Sequence, residues 1–183
     1  MVLRLRFFWA FGFVGLVACG PIDSVSPEQC QAGDWSNIGF ADGKAGRSEA
    51  YVSRHQEACA KVGITPDTTA WIAGRTRGLQ QYCTPQNAYS IGRDGTELSN
   101  VCSGSVVTEL NRANAKGLKY HALGREISSL RTRSSDIDTK LFFLGTPQTE
   151  EQAQERRQLL REQEKIKTRI SDLELQRIDY SVL

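Results

Sequence analysis

The chain has 183 residues, 23 of them Lys or Arg and 21 Asp or Glu. The excess bases, Arg4 and Arg6, lie in the first 18 residues, so the remainder balances at 21 against 21. A balanced chain lacks the clustered basic excess that nucleic acid would require, and no nucleic-acid partner is expected.

Behind Arg4 and Arg6 runs an apolar stretch from Phe7 to Val17. It is shorter than the roughly 20 residues of a bilayer span and matches the apolar region of a signal peptide. It ends in Leu16-Val17-Ala18-Cys19, a bacterial lipoprotein cleavage box. The reading predicts removal of residues 1–18 and acylation of Cys19, which would then hold the protein to membrane lipid without a spanning helix. Gly20 stands where lipoproteins retained in the inner membrane carry Asp, which predicts the outer membrane, on its periplasmic face. Residues 19–33, punctuated by Pro21, Pro27 and Gly33, read as a lipidated N-terminus and short tether.

Residues 34–102 hold an imperfect repeat in which an aromatic residue precedes two spaced glycines. Trp35 precedes Gly39 and Gly43, Trp71 precedes Gly74 and Gly78, and Tyr89 precedes Gly92 and Gly95. Asp34, Asp67 and Thr84 are placed as helix N-caps, the last with Pro85 behind it, and Ser48 is placed to cap a helix over Glu49–Lys61. Glycine costs a helix interior about 1 kcal/mol relative to alanine, so its repetition needs a reason. Close approach of a neighbouring helix is favoured over the cradling of a ligand. Cys30, Cys59, Cys83 and Cys102 form an even set in an exported chain, which predicts two disulfides. Three pairings are possible; Cys30–Cys59 with Cys83–Cys102 closes the shortest loops. No Cys-x-x-Cys pair or adjacent histidine supports a metal site, and no cofactor is expected.

Residues 103–183 read as an antiparallel helical hairpin of coiled-coil character. Leu123, Ile127, Leu130, Ser134, Ile137, Leu141 and Leu144 recur at steps of three and four, until Gly145-Thr146-Pro147 breaks the helix. Thr149 and Gln152 make a capping box for the next, whose seam is Leu159, Gln163, Ile166, Ile170, Leu173, Arg177 and Tyr180. Folding back about the break sets Leu123 against Leu173 and Ile127 against Ile170, with Ser134 and Gln163 as a polar layer. The fold class is therefore all-α: a small glycine-rich, disulfide-bonded helical domain followed by a long hairpin.

No nucleophile elbow, zinc-protease helix or dinucleotide fingerprint is present, and no catalytic residue is assigned. His55, Asp42 and Arg47 are the nearest candidates for ligand binding. For His55 a surface or capping role is favoured over a general base, and for Asp42 and Asp94 a capping or turn role. His121 is expected to be exposed.

Several of these pieces recur together: Glu28-Gln29-Cys30, Gly33-Asp34-Trp35, Ile38-Gly39, Ala41-Asp42-Gly43, Gly46-Arg47, His55 with Cys59, Tyr82-Cys83, Gly92-Arg93-Asp94-Gly95, Cys102 and Leu123-Gly124-Arg125-Glu126-Ile127. In this order they resemble a family of small Gram-negative lipoproteins catalogued as domain of unknown function 2799, over about Glu28 to Leu144. The resemblance implies an envelope address and carries no activity. Two functions follow. One is a non-enzymatic interaction or scaffold module that docks an envelope protein through its hairpin. The other is a small-ligand binder or hydrolase built on the glycine-rich domain. A cavity lined by His55, Asp42 and the tryptophans would favour the second.

Overall fold

A computed structural model describes residues 23–183; Cys19, the signal segment and the start of the tether lie outside the described residues. The described residues form an all-helical fold: α1 (Pro27–Ala32), α2 (Trp35–Lys44), a 3-10 turn (Glu49–Tyr51) leading into α3 (Val52–Ala60), α4 (Thr68–Tyr82), α5 (Pro85–Arg93), α6 (Val107–Leu144) and α7 (Glu150–Asp179). Asp34, Asp67 and Thr84 each accept the backbone N–H three residues on, satisfying a donor that the helix start leaves free. Ser48 makes no side-chain cap, and the chain there begins with a tight 3-10 turn.

The glycines explain how α2 meets α4. A Cβ at Gly39 would overlap the Trp71 carbonyl and one at Gly43 the Arg75 carbonyl. Reciprocally, Gly74 faces the Ser36 carbonyl and Gly78 the Phe40 carbonyl. Four residues forward on one helix is four residues forward on the other, so the two run parallel with their backbones in contact. Small residues four apart permit that approach because nothing protrudes between the helices. The arrangement recurs between α5 and α6, where Gly92 faces the Asn114 carbonyl and Gly117 the Tyr89 carbonyl. Each parallel pair needs a crossover, and each crossover carries a disulfide. Cys30–Cys59 ties α1 to α3, and Cys83–Cys102 closes the connection from α5 to α6. The shortest-loop pairing is the one found.

Two features differ from the sequence reading. The described part of the tether is built into the fold: Ser26 and Gln29 form a capping box on α1, and Val25 and Cys30 are buried against Trp35, Cys59 and Trp71. The composition change near residue 103 is also not a break in packing, because α5 lies along the first turns of α6 across it. Asn114, buried on α6, fastens this second unit, donating to the Ala88 and Thr96 carbonyls and accepting from the Leu98 N–H. Composition registers solvent-facing residues on the long helix, whereas the packing that joins the halves is made by Gly92, Gly117 and one asparagine.

Beyond Gly117, α6 continues as one arm of a hairpin with α7. Leu123, Ile127, Ile137, Ile166 and Leu173 are buried along the seam. Ion pairs flank it, Glu126 with Arg169, Arg133 with Glu162 and Arg131 with Glu174. The polar residue in mid-seam, Gln163, bonds to Asp138 rather than to Ser134, since Asp138 offers a charged acceptor one turn further on. At the turn, Thr149 caps α7, while the Gln152 side chain accepts from the Gln148 N–H, one residue earlier than a capping box requires.

Each disulfide should contribute about 3 kcal/mol by restricting the unfolded chain. Thiol titration of the denatured mature protein should therefore find none of Cys30, Cys59, Cys83 and Cys102 free, and two or more would break the assignment.

Candidate functional site

The sequence-selected residues converge on the first helix pair. His55 sits on α3, 1% exposed, inside a ring of Trp35, Tyr51 and Trp71 whose centroids lie 5.2–6.3 Å from its own. It is thus a core residue, not the surface or capping histidine expected. Asp42, on α2 one turn behind Gly39, accepts from His55 Nε2 at 2.7 Å and from Trp71 Nε1 at 2.8 Å, both at Oδ2. The carboxylate can only accept, so Nε2 carries the hydrogen of that bond. His55 Nδ1 lies 2.8 Å from Ser24 Oγ, fixing the incoming chain to α3. Asp42, half-buried, is therefore a core-facing acceptor rather than a turn former. Its work is to satisfy two ring N–H groups that would otherwise destabilise the core.

Arg47 stands beside this cluster, its guanidinium 4.6 Å from the centroid of the Tyr51 ring. Its carbonyl accepts from Arg75 Nε at 2.7 Å, and Arg75 Nη1 reaches Glu49 at 3.3 Å. Sequence reasoning missed Arg75, which is nearly buried; the available signal was its place one turn after Trp71 on the glycine face of α4.

The line Ser24–His55–Asp42 has the residue types of a hydrolytic triad. Its geometry is that of a filled core: the imidazole is enclosed, the serine meets Nδ1, and the second carboxylate donor is a tryptophan. The depression lined by Gln29, Asp34, Asn37 and Ala41 takes in neither His55 nor Asp42. Among the described residues no three His, Cys, Asp or Glu side chains group as a metal site would require. Asp94 closes α5 at its C-terminal end, and His121 is half-buried rather than exposed, its Nδ1 donating to the Arg93 carbonyl at 3.0 Å.

The hairpin offers a different kind of surface. Phe142 and Phe143, in the last turn of α6, are 79% and 80% exposed and packed edge to face on each other. The turn beyond them is internally bonded: Arg156 donates to the Gly145 carbonyl and the Gln148 side chain to that of Thr146. Arg157 bonds the Glu150 carboxylate and holds it below the usual range. Among the described residues no helix is long and apolar enough to cross a membrane.

Fold and site together define a disulfide-bonded helical protein in which glycine-faced helix pairs carry a projecting hairpin. Residues 34–119 match the family model described as Protein of unknown function (DUF2799), so the resemblance seen in the sequence holds. That span takes in both parallel pairs and stops where the hairpin leaves them, short of the Leu144 limit that the motifs suggested. No curated protein and no solved structure matches the chain.

Proposed function

We propose that the protein is an outer-membrane lipoprotein, held by an acylated Cys19 on the periplasmic side, that docks an envelope protein through its hairpin and performs no chemistry of its own. The observation that carries the reading is the pair Phe142–Phe143, displayed at the far end of the arm. From Gly117 to Leu144 the helix extends about 40 Å at 1.5 Å per residue, so the aromatic tip stands well clear of the core. Adjacent exposed phenylalanines lose contact with water on docking and supply the large apolar anchors on which protein interfaces depend. The seam, with its steps of three and four, has the pattern of an antiparallel coiled coil, which stiffens the arm. The enclosure of His55, to which Asp42 is bonded, supports docking over ligand binding or hydrolysis in the glycine-rich part.

A photoreactive residue at position 143 of the full chain, in a Gram-negative cell, tests this. It should crosslink an envelope protein, and Phe142→Ser should abolish the product. Cys19→Ser should leave a mislocalised precursor that no longer crosslinks. Crosslinking that persists in Phe142→Ser, or no crosslink at position 143, would overturn the docking role.

A further inference from the structure

Where the hairpin leaves the second helix pair, three helices bring cations together. A cleft of about 240 Å³ is lined by Arg93 of α5, Arg125 and Arg131 of α6 and Arg177 of α7, and no carboxylate lines it. Arg131 is paired with Glu174. Among the described residues, Arg93, Arg125 and Arg177 have no carboxylate within ion-pairing distance.

Two of these guanidiniums are held in place rather than free in solvent. Arg93 and Arg177 lie 4.4 and 3.9 Å from the centroid of the same ring, that of Tyr120. Gly124 makes room for Arg177, since a Cβ there would come within 3.1 Å of the guanidinium. His121 bonds the Arg93 carbonyl and fixes the end of α5 against α6. Arg177 Nε is shut off from water and has no hydrogen-bond partner. One tyrosine face offers only modest compensation to a cation, and two cations sharing a ring repel each other. Like charges gathered on one ring, with no carboxylate lining the cleft, are the makings of an anion site.

We infer that this cleft binds a phosphate group. The forked donors of arginine match phosphate oxygens in pairs. Arg93, Arg125 and Arg177 approach from three different helices, and the Ser128 hydroxyl lines the same cleft. A tetrahedral dianion can present oxygens in all of these directions, whereas a carboxylate presents only two oxygens in one plane. The group could belong to a free phosphate or to a lipid headgroup. The inference is independent of the docking role of Phe142 and Phe143.

Calorimetric titration of the full chain in neutral detergent micelles, at constant ionic strength, distinguishes the two sources. In one arm the titrant is inorganic phosphate, and in the other micelles doped with phosphatidic acid. Saturable binding is expected in at least one arm, with phosphate displacing the lipid if both bind. Arg125→Gln, at an exposed position, should weaken it severalfold without altering the helical circular dichroism. Arg177→Gln should weaken it at least tenfold, and Arg177→Lys should restore only part of the loss because the fork is gone. Binding in neither arm, or binding that Arg125→Gln and Arg177→Gln leave unchanged, would overturn the site.

Discussion

Gly39→Ala should destabilise the protein by about 3 kcal/mol or more, an effect far beyond that of adding a methyl group to an ordinary helix. The new Cβ would overlap the carbonyl of Trp71, a backbone atom that no rotamer change can move aside. Relief requires α2 and α4 to separate, and separation weakens the reciprocal contacts at Gly43, Gly74 and Gly78. It also draws Asp42 away from the Trp71 N–H, leaving a buried donor unsatisfied. Gly63 is the control. Nothing lies within 4 Å of a Cβ there, and its φ of +71° should cost an alanine only about 1–2 kcal/mol. Denaturant unfolding of both variants decides the matter. A Gly39→Ala loss no greater than that of Gly63→Ala would mean that the helices do not rely on direct backbone contact.

That contact also marks where the sequence could be read and where it could not. The role of glycine as a small face was legible, because glycine is costly in helices and here recurs at helical spacing. Which helices the faces would join was not. The aromatic-glycine pattern extends through Tyr89–Gly92 to Gly117, yet the run of solvated residues after 103 disguises the start of α6 as part of the hairpin. The hairpin seam was legible nearly residue by residue, since a long amphipathic repeat fixes its own register. His55 was misplaced because a histidine among Arg54, Gln56 and Glu57 looks solvated. Its burial depends on Trp35, Tyr51, Trp71 and Asp42, which arrive from other elements. The arginine cleft is hidden for the same reason: Arg93, Arg125 and Arg177 are far apart in the chain and meet only when α5, α6 and α7 are assembled.

The root of the hairpin is shared with the second helix pair, and this sets the second large effect. Leu173 is fully buried against Leu123 and Ile127, and about two turns beyond it the Tyr180 carbonyl accepts from the Tyr89 hydroxyl of α5 at 2.6 Å. Leu173→Ala removes buried methyl groups and leaves a cavity, for an expected loss of about 2–5 kcal/mol. Because α7 is fastened to α5 just past this point, hydrogen exchange should quicken in α5 as well as along α7. Ile137→Ala, equally buried but close to the tip, should cost about 2–5 kcal/mol locally and quicken exchange only in the distal turns, where no third helix packs. Sequence alone favours an arm that can be lost without consequence for the cysteine-containing part. The Tyr89–Tyr180 bond argues instead for a distal half that can open independently of the helix pairs and a root that cannot. If Leu173→Ala left protection in α5 unchanged, the whole hairpin would be separable from the helix pairs. If protection falls in both, the root of α7 and the second helix pair open as one unit, joined by the Tyr89–Tyr180 bond.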